Sequence, residues 1–404
     1  MSTRRDRSPS EAANRPLTVV HIVRQYRPNR GGLEDVVANL AREQLRVGWS
    51  VRVITLDRLF RNLDETLPAR ETIEGVDVRR IPFRGSTRYP LAPEVFNHFE
   101  DADVVHVHAV DYFFDAVALA RPIHKLPIVA TTHGGFFHTG EFSLLKKLWF
   151  KGPTRVTANL YDRIIACSQS DARAFAPIVP SLEVIENGAD LDKFAGASSR
   201  EPVKRMAALG RFSKNKRPER VIEAMNALVA ADPDWRLDMI GAASDWSVDQ
   251  LAAMIADAGL DEHVRLHVGL GDGEVANVLR GASLFVSASE YEGFGVALIE
   301  AMSAGLKPVV HPNDAFAGLA ARHPSIRLVD FTDPAAAAAA IREAHRSLVE
   351  TPASARPTPE ELAPYAWPQV AARYGEAYRA AIARRGRGLP AAAAAKPVRL
   401  GDAR

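Results

Sequence analysis

Residues 282–305 read ASLFVSASEYEGFGVALIEAMSAG, and the reading of this stretch decides the fold. Ala282 to Ala288 is apolar and β-prone, Gly293-Phe294-Gly295 is a tight turn, and the apolar run that follows opens a helix. In an open α/β sheet such a unit sets its loop outside the carboxyl end of a strand, where ligands bind. Glu292 and Glu300 bracket the turn. Eight helical steps would leave them about 80° apart, so one carboxylate is read in the loop and one in the helix, both able to face a single ligand. Alone, the segment also fits an ordinary solvated turn, because glycine punctuates plain loops as well.

The same alternation of apolar strand and helical pattern runs outward in both directions, the signature of parallel sheets with crossover helices. In the first half the candidate strands are Thr18 to Val23, Ser50 to Leu56, Val76 to Arg80, Asp103 to Val107, Ile128 to Thr132, Arg163 to Ala166 and Leu182 to Ile185. A second series follows: Arg205 to Leu209, Arg236 to Ile240, Val264 to Val268, Ser283 to Ala288, Pro308 to His311 and Ile326 to Val329. Two series predict an α/β chain of two Rossmann-like doubly wound domains, residues 17–196 and 203–364. Between them Lys193 to Pro202, KFAGASSREP, is small and polar and reads as the join. Val370, Tyr374 and Tyr378 recur at helical spacing, so residues 365–384 are expected to form an amphipathic helix packed on something. Residues 1–16 are read as a disordered leader and 385–404 as a disordered tail.

With 404 residues and 47% hydrophobic content, the chain can bury a large core and favours two domains over one. Its 51 basic and 49 acidic residues leave a formal charge of +2, which argues against a nucleic-acid partner. The lone Cys167 excludes an intramolecular disulfide and a multi-thiolate metal site, and fits a reducing cytoplasmic setting. No stretch approaches the roughly twenty uninterrupted apolar residues of a membrane span.

Three further loops carry candidate chemistry. After the first strand, RQYRPNRGG ends in Gly31 and Gly32, which would let a ligand approach the backbone at a helix mouth. After Leu209 comes GRFSKNKRP, where Arg211, Lys214, Lys216, Arg217 and Arg220 gather before a helix starting near Pro218. A helix N-terminus and a basic cluster both favour a diphosphate, held bidentately by arginine and by lysine as a mobile point charge. His133 follows IVATT and precedes Gly134-Gly135, so it too sits at a strand's carboxyl end, able to bond a hydroxyl or carry a proton. His106 and His108 share one strand face, but no third metal ligand is spaced with them in sequence. Leu144 to Lys151, LLKKLWFK, mixes lysines with Trp149-Phe150 and fits either interfacial membrane contact or a plain amphipathic helix.

Together these positions resemble glycosyltransferase family 4, retaining enzymes of two Rossmann-like domains facing across a cleft, the GT-B arrangement. Gly31-Gly32, His133, Arg211 with Lys216, and Glu292 with Glu300 fall in the family's order over nearly the whole chain. HIVRQYRPNRGG, RGSTRYPLAP, THGGFFHTGEF and IENGADLDKF look in particular like the bacterial mannosyltransferases of xanthan- and acetan-type exopolysaccharide synthesis. The resemblance implies transfer of mannose from GDP-mannose to a cellobiosyl-type polyprenyl-diphosphate-linked oligosaccharide, by a cytoplasmic protein peripheral on the inner face of the membrane. It implies His133, Lys216 and Glu292 as catalytic residues, with no metal or other cofactor required. Donor contacts would come from Gly32, Arg211, Lys216, Glu292, Gly293, Phe294, Gly295 and Glu300, the last at the ribose hydroxyls. Gly31 and Ser168 would lie toward the acceptor or the cleft.

Other readings compete. Another family 4 donor, such as UDP-glucose, fits the same motifs. Gly271-Asp272-Gly273-Glu274-Val275-Ala276 satisfies a loose dinucleotide-binding pattern, which would make the chain an NAD-dependent oxidoreductase. A non-catalytic glycan-binding protein on this fold would not be expected to keep Arg211 and Lys216.

Overall fold

A computed structural model describes residues 16–29, 31–133, 150–179, 182–351 and 356–386. The chain forms two compact units, Met1–Glu186 with Trp367–Arg404, and Asn187–Ala366.

In the first unit the strands are β1 (Thr18–Ile22), β2 (Ser50–Leu56), β3 (Arg70–Ile73), β4 (Val76–Ile81), β5 (Arg84–Ser86), β6 (Tyr89–Leu91), β7 (Val104–His108), β8 (Ile128–Thr131), β9 (Arg163–Ala166) and β10 (Glu183–Val184). Eight of them, among the described residues, form one sheet in the order β10-β9-β8-β7-β1-β2-β4-β3. Every neighbouring pair is parallel except β3 with β4. The central strands are mostly apolar and buried because helices cover both faces, with His21, His106 and His108 as buried polar exceptions. Strand β7 is buried along its whole length. On one face the helix Trp367–Gly386 joins the first unit, burying Val370, Tyr374 and Tyr378 with Leu40, Trp49 and Val104.

The second unit carries β11 (Arg205–Leu209), β12 (Arg236–Gly241), β13 (Val264–Val268), β14 (Leu284–Ser287), β15 (Lys307–Val310) and β16 (Arg327–Leu328). They form a parallel sheet in the order β13-β12-β11-β14-β15-β16. This is the doubly wound order with its reversal between β11 and β14, the crevice where such sheets bind ligands. Two apolar clusters cover its faces, one built on Met225, Trp235 and Ile341, the other on Phe285, Leu298 and Phe316.

Sequence reading missed β3 and the hairpin β5–β6, whose residues RETI, RGS and YPL are short and polar or exposed. It also placed the join too late. Phe194 and Ala197 are buried in the second unit's core, and Gly196 and Ser198 donate backbone hydrogen bonds to Ser303 and Ala304 at 3.0 and 2.7 Å. Lys193 to Pro202 is therefore packed structure, and the boundary falls at Glu186 and Asn187. The predicted leader and tail lie outside the described residues, apart from Pro16, Arg385 and Gly386.

Candidate functional site

At the β11/β14 reversal two loops emerge side by side. The first, residues 210–217, leaves β11 through Gly210 at φ +138°, turns through Lys214–Lys216, and enters the helix Pro218–Ala231 from Arg217 at φ +48°. A Cβ at Gly210 would meet Lys216 Cε at 3.4 Å, so the bare glycine gives the lysine stem its path across the strand end. The loop is anchored from behind: Phe212 is buried and its N–H donates to Ala242 O at 2.8 Å, while Lys214 N–H donates to Asp245 at 2.9 Å.

The second loop, residues 288–295, is stitched to the first. Glu290 N–H donates to Asn215 O at 2.9 Å, and the Asn215 amide returns a bond to Tyr291 O at 3.1 Å. Gly295 opens the helix Val296–Ser303 at φ +95°, where a Cβ would also strike the Phe316 ring at 2.9 Å. Neither this helix nor Pro218–Ala231 has a side-chain cap; the first turn of Val296–Ser303 offers N–H groups to an anion, whereas Pro218 has no N–H and Arg220 N–H already donates to Arg217 O at 3.1 Å.

Across these loops Lys216 Nζ stands 2.5 Å from Glu292 Oε1, both side chains largely shielded. Glu290, absent from the sequence-based site, binds Arg217 at 2.8 Å and Arg220 at 2.9 Å. Its pairing holds that carboxyl below the usual carboxylate range, with the Arg217 hydrogen bond the largest cause. The predicted basic cluster is thus partly neutralised by the glutamate loop. Arg211 is exposed and, among the described residues, makes no ion pair. Arg211 and Lys216 border one cavity of about 30 Å³ with Gly210 and Ser287.

The remaining donor-side candidates separate by role. Glu300 lies in the helix Val296–Ser303, 3.8 Å from Lys193 Nζ, which also meets Asp272 at 3.1 Å. The Phe294 side chain is core, leaving only its backbone to a ligand, whereas Gly293 is exposed. The loose glycine pattern at Gly271 caps the helix Asp272–Leu279 after β13, an edge strand far from the reversal in sheet order, so the dinucleotide reading loses its expected position.

In the first unit the sheet reverses between β1 and β7. Gly31 caps the helix Gly32–Arg46 in extended conformation, and a Cβ on it would meet Glu34 Oε2 at 2.6 Å; at Gly32 a Cβ would meet nothing within 4 Å. Ser168 is buried as the N-cap of Gln169–Phe175, its Oγ accepting from Asp171 N–H at 3.1 Å, which explains its presence without a ligand. His133 follows β8 at φ +53°, a left-handed conformation costing about 1–3 kcal/mol for a non-glycine residue. Its Nε2 lies 3.0 Å from His108 Nδ1, and burial pushes its pKa down to about 3.

Strand register corrects the expectation about the histidine pair. His21 on β1 is the register partner of His106 on β7, which brings ring nitrogens of His21, His106 and His108 within 4.8 Å of one another. All six ring nitrogens already lie 2.7–3.0 Å from other polar atoms, so a cation would have to displace existing bonds. Of LLKKLWFK, residues 144–149 lie outside the described residues, and Phe150 is buried with its ring centroid 5.1 Å from that of Phe175, so that ring makes no lipid contact.

Two families match adjoining segments of the chain: Glycosyltransferase Family 4 over residues 30–193 and Glycosyl transferases group 1 over residues 192–355. A Xanthomonas campestris protein named GDP-mannose:cellobiosyl-diphosphopolyprenol alpha-mannosyltransferase is 40% identical, covering 91% of this chain and 97% of its own length. A Komagataeibacter xylinus protein of the same name is 38% identical, over 93% and 95% respectively. Among solved structures, a sucrose-phosphate synthase from Thermosynechococcus elongatus shares the fold with a TM-score of 0.68 at 19% identity, over 91% of this chain and 99% of that one.

Proposed function

The chain belongs to glycosyltransferase family 4, and on that premise we propose that it moves mannose from GDP-mannose to a polyprenyl-diphosphate-linked oligosaccharide, with retention of configuration, in exopolysaccharide synthesis. The observation that carries this reading is the Lys216–Glu292 pair at the sheet reversal of the second unit, 2.5 Å apart in the loops that lead into the helix Pro218–Ala231 and the uncapped helix Val296–Ser303. Such a place suits a nucleoside diphosphate sugar: cation and N–H donors for the phosphates, carboxylate for the sugar.

The chemistry follows from where charge develops. As the bond from the sugar's anomeric carbon to the phosphate oxygen breaks, negative charge grows on the departing GDP. Lys216 and Arg211 offset that charge, together with the N–H groups opening the helix Val296–Ser303. Glu292, released from Lys216 when the lysine turns to phosphate, accepts hydrogen bonds from hydroxyls of the transferring sugar. Glu300 takes the ribose hydroxyls. No carboxylate is assigned as nucleophile; the acceptor hydroxyl attacks on the face the phosphate leaves, giving its proton to the leaving phosphate. On the first unit, His133 is uncharged at neutral pH and serves as a hydrogen-bonding partner for a sugar hydroxyl.

Metal-independent turnover belongs to this proposal, because Lys216 and Arg211 supply the positive charge a cation would otherwise bring. So does action at the inner membrane face, where a polyprenyl-linked acceptor resides; among the described residues no helix is long and apolar enough to cross a membrane. Calorimetry with GDP, UDP and NAD, followed by turnover in excess chelator, tests the reading. GDP binding, no NAD binding and chelator-resistant transfer are expected; NAD binding without GDP binding would overturn it.

A further inference from the structure

Behind His133 the first unit holds a continuous run of hydrogen bonds. His133 Nε2 lies 3.0 Å from His108 Nδ1, His108 Nε2 lies 2.9 Å from His21 Nδ1, and His21 Nε2 lies 2.8 Å from Gln44 Oε1. Beyond the amide, Gln44 Nε2 is 3.4 Å from the Tyr378 hydroxyl, which stands 2.7 Å from His106 Nδ1. His21, Gln44, His106, His108 and Tyr378 are all buried. The run joins the helix Gly32–Arg46, β1, β7, the residue two past β8 and the carboxyl-terminal helix.

A neutral imidazole has one N–H and one bare nitrogen, so along such a run each ring's tautomer dictates the next. Burial keeps the rings neutral: it lowers His21 to about 4 and His133 to about 3, and holds His106 and His108 well below the usual value. The Gln44 carbonyl oxygen only accepts, so His21 carries its proton on Nε2 and accepts at Nδ1. His108 then donates from Nε2 and accepts at Nδ1. His133 in turn donates from Nε2, which leaves its Nδ1 bare.

A flipped Gln44 amide would reverse every one of these bonds. Tyr378 couples that flip to the His106 branch. With the Gln44 amide N–H facing it, the Tyr378 oxygen accepts from Gln44 and its hydroxyl donates to His106 Nδ1; a flipped amide would demand a donor from Tyr378 and force the His106 and Thr131 bonds to reverse as well. His106 passes its own N–H to Thr131 Oγ1 at 2.8 Å, so each donor on this branch is used once.

We propose that Tyr378 and Gln44 are positioning residues that act through His21 and His108 to hold His133 in its Nε2–H form, reserving His133 Nδ1 as a hydrogen-bond acceptor for a substrate hydroxyl. The substrate half of this statement rests on the function proposed above. The tautomer half stands on the hydrogen-bond geometry together with the orientation of the Gln44 amide. It makes the carboxyl-terminal helix a part of the site's chemistry, and it bars His133 from donating through Nδ1 to the leaving oxygen.

The test is nitrogen-15 NMR of the full chain labelled in its histidine rings, with the His133 signals identified by their loss in His133→Gln. A protonated Nε2 and a bare Nδ1 are expected at neutral pH. Tyr378→Phe keeps the aromatic ring and removes the hydroxyl, so His133 should become a mixture of both tautomers. In that variant kcat for transfer should fall roughly three- to tenfold, the size of one neutral hydrogen bond, with the donor KM unchanged. A purely packing role for Tyr378 would leave the tautomer untouched. Protonation of wild-type His133 at Nδ1, or an unchanged tautomer in Tyr378→Phe, would overturn the proposal. The wild-type spectrum, once assigned, requires no transfer activity, so it remains decisive even if the mannosyl-transfer reading fails.

Discussion

Replacing Glu292 by glutamine separates the two tasks given to that carboxylate. Lys216 Nζ and Glu292 Oε1 are 2.5 Å apart, with 23% and 14% of the two side chains exposed. A diphosphate that engages Lys216 has to draw it away from this partner. At that separation and an effective dielectric of about 20 the bare attraction is roughly 7 kcal/mol. Desolvation and water access reduce the net worth of such a partly exposed pair to about 1 kcal/mol. Glu292→Gln keeps the shape and removes the competing charge, so GDP should bind about fivefold more tightly, the equivalent of that 1 kcal/mol. Transfer should move the other way. Losing a charge-assisted hydrogen bond to the sugar is worth about 1.5–3 kcal/mol, roughly 10- to 100-fold in kcat. Titration calorimetry with GDP and a steady-state transfer assay on the same preparation read both quantities. GDP affinity that falls in step with turnover would refute the reasoning, because Glu292 would then be supporting the phosphate grip rather than restraining it.

Other outcomes follow from the same geometry. Lys216→Ala should lower kcat by about 10²- to 10³-fold, the cost of removing one preorganised stabiliser of developing charge, as measured in single-turnover experiments. Arg211→Ala should weaken GDP binding while leaving the melting temperature nearly unchanged, since the side chain is exposed and unpaired among the described residues. Gly295→Ala combines a φ of +95° with a 2.9 Å approach to Phe316, and should destabilise the second unit by about 1–3 kcal/mol in denaturant titrations. Mild acid should act on the first unit. His21 has its pKa lowered by burial to about 4, so the unfolded chain takes up its proton first, and the stability it contributes is full above about pH 6.5 and drains as the pH falls toward 4. His21 alone should cost roughly 2 kcal/mol between pH 7.5 and 5, which denaturant midpoints at the two values would measure.

Parallel strands with buried faces read directly as apolar runs, which is why β2, β9 and β11 were legible to the residue; β13 was legible from its alternation of valine and leucine with Arg265 and His267. Strands β3, β5 and β6 lack that signal because part of each faces solvent. The composition of KFAGASSREP suggested a linker, but small residues also suit close packing, and Phe194 and Ala197 use them that way. Loop chemistry at Arg211, Lys216, Glu292 and Glu300 was visible as residue types at strand ends. Which of these meet was not. Lys216 and Glu292 are 76 residues apart, and their meeting depends on β11 lying next to β14, a consequence of the crossover. His21 escaped for the same reason, since alternation along β7 exposes His106 and His108 but only register across β1 and β7 adds the third ring.

The central claim is tested most directly by the product. The purified full-length chain would be incubated with polyprenyl-diphosphate-linked cellobiose and, in parallel, GDP-mannose, GDP-glucose, UDP-glucose and UDP-galactose, and the lipid-linked product analysed by mass and linkage. The account predicts addition of one α-linked mannose from GDP-mannose and no extension from the uridine donors. Extension from UDP-glucose with none from GDP-mannose would contradict it.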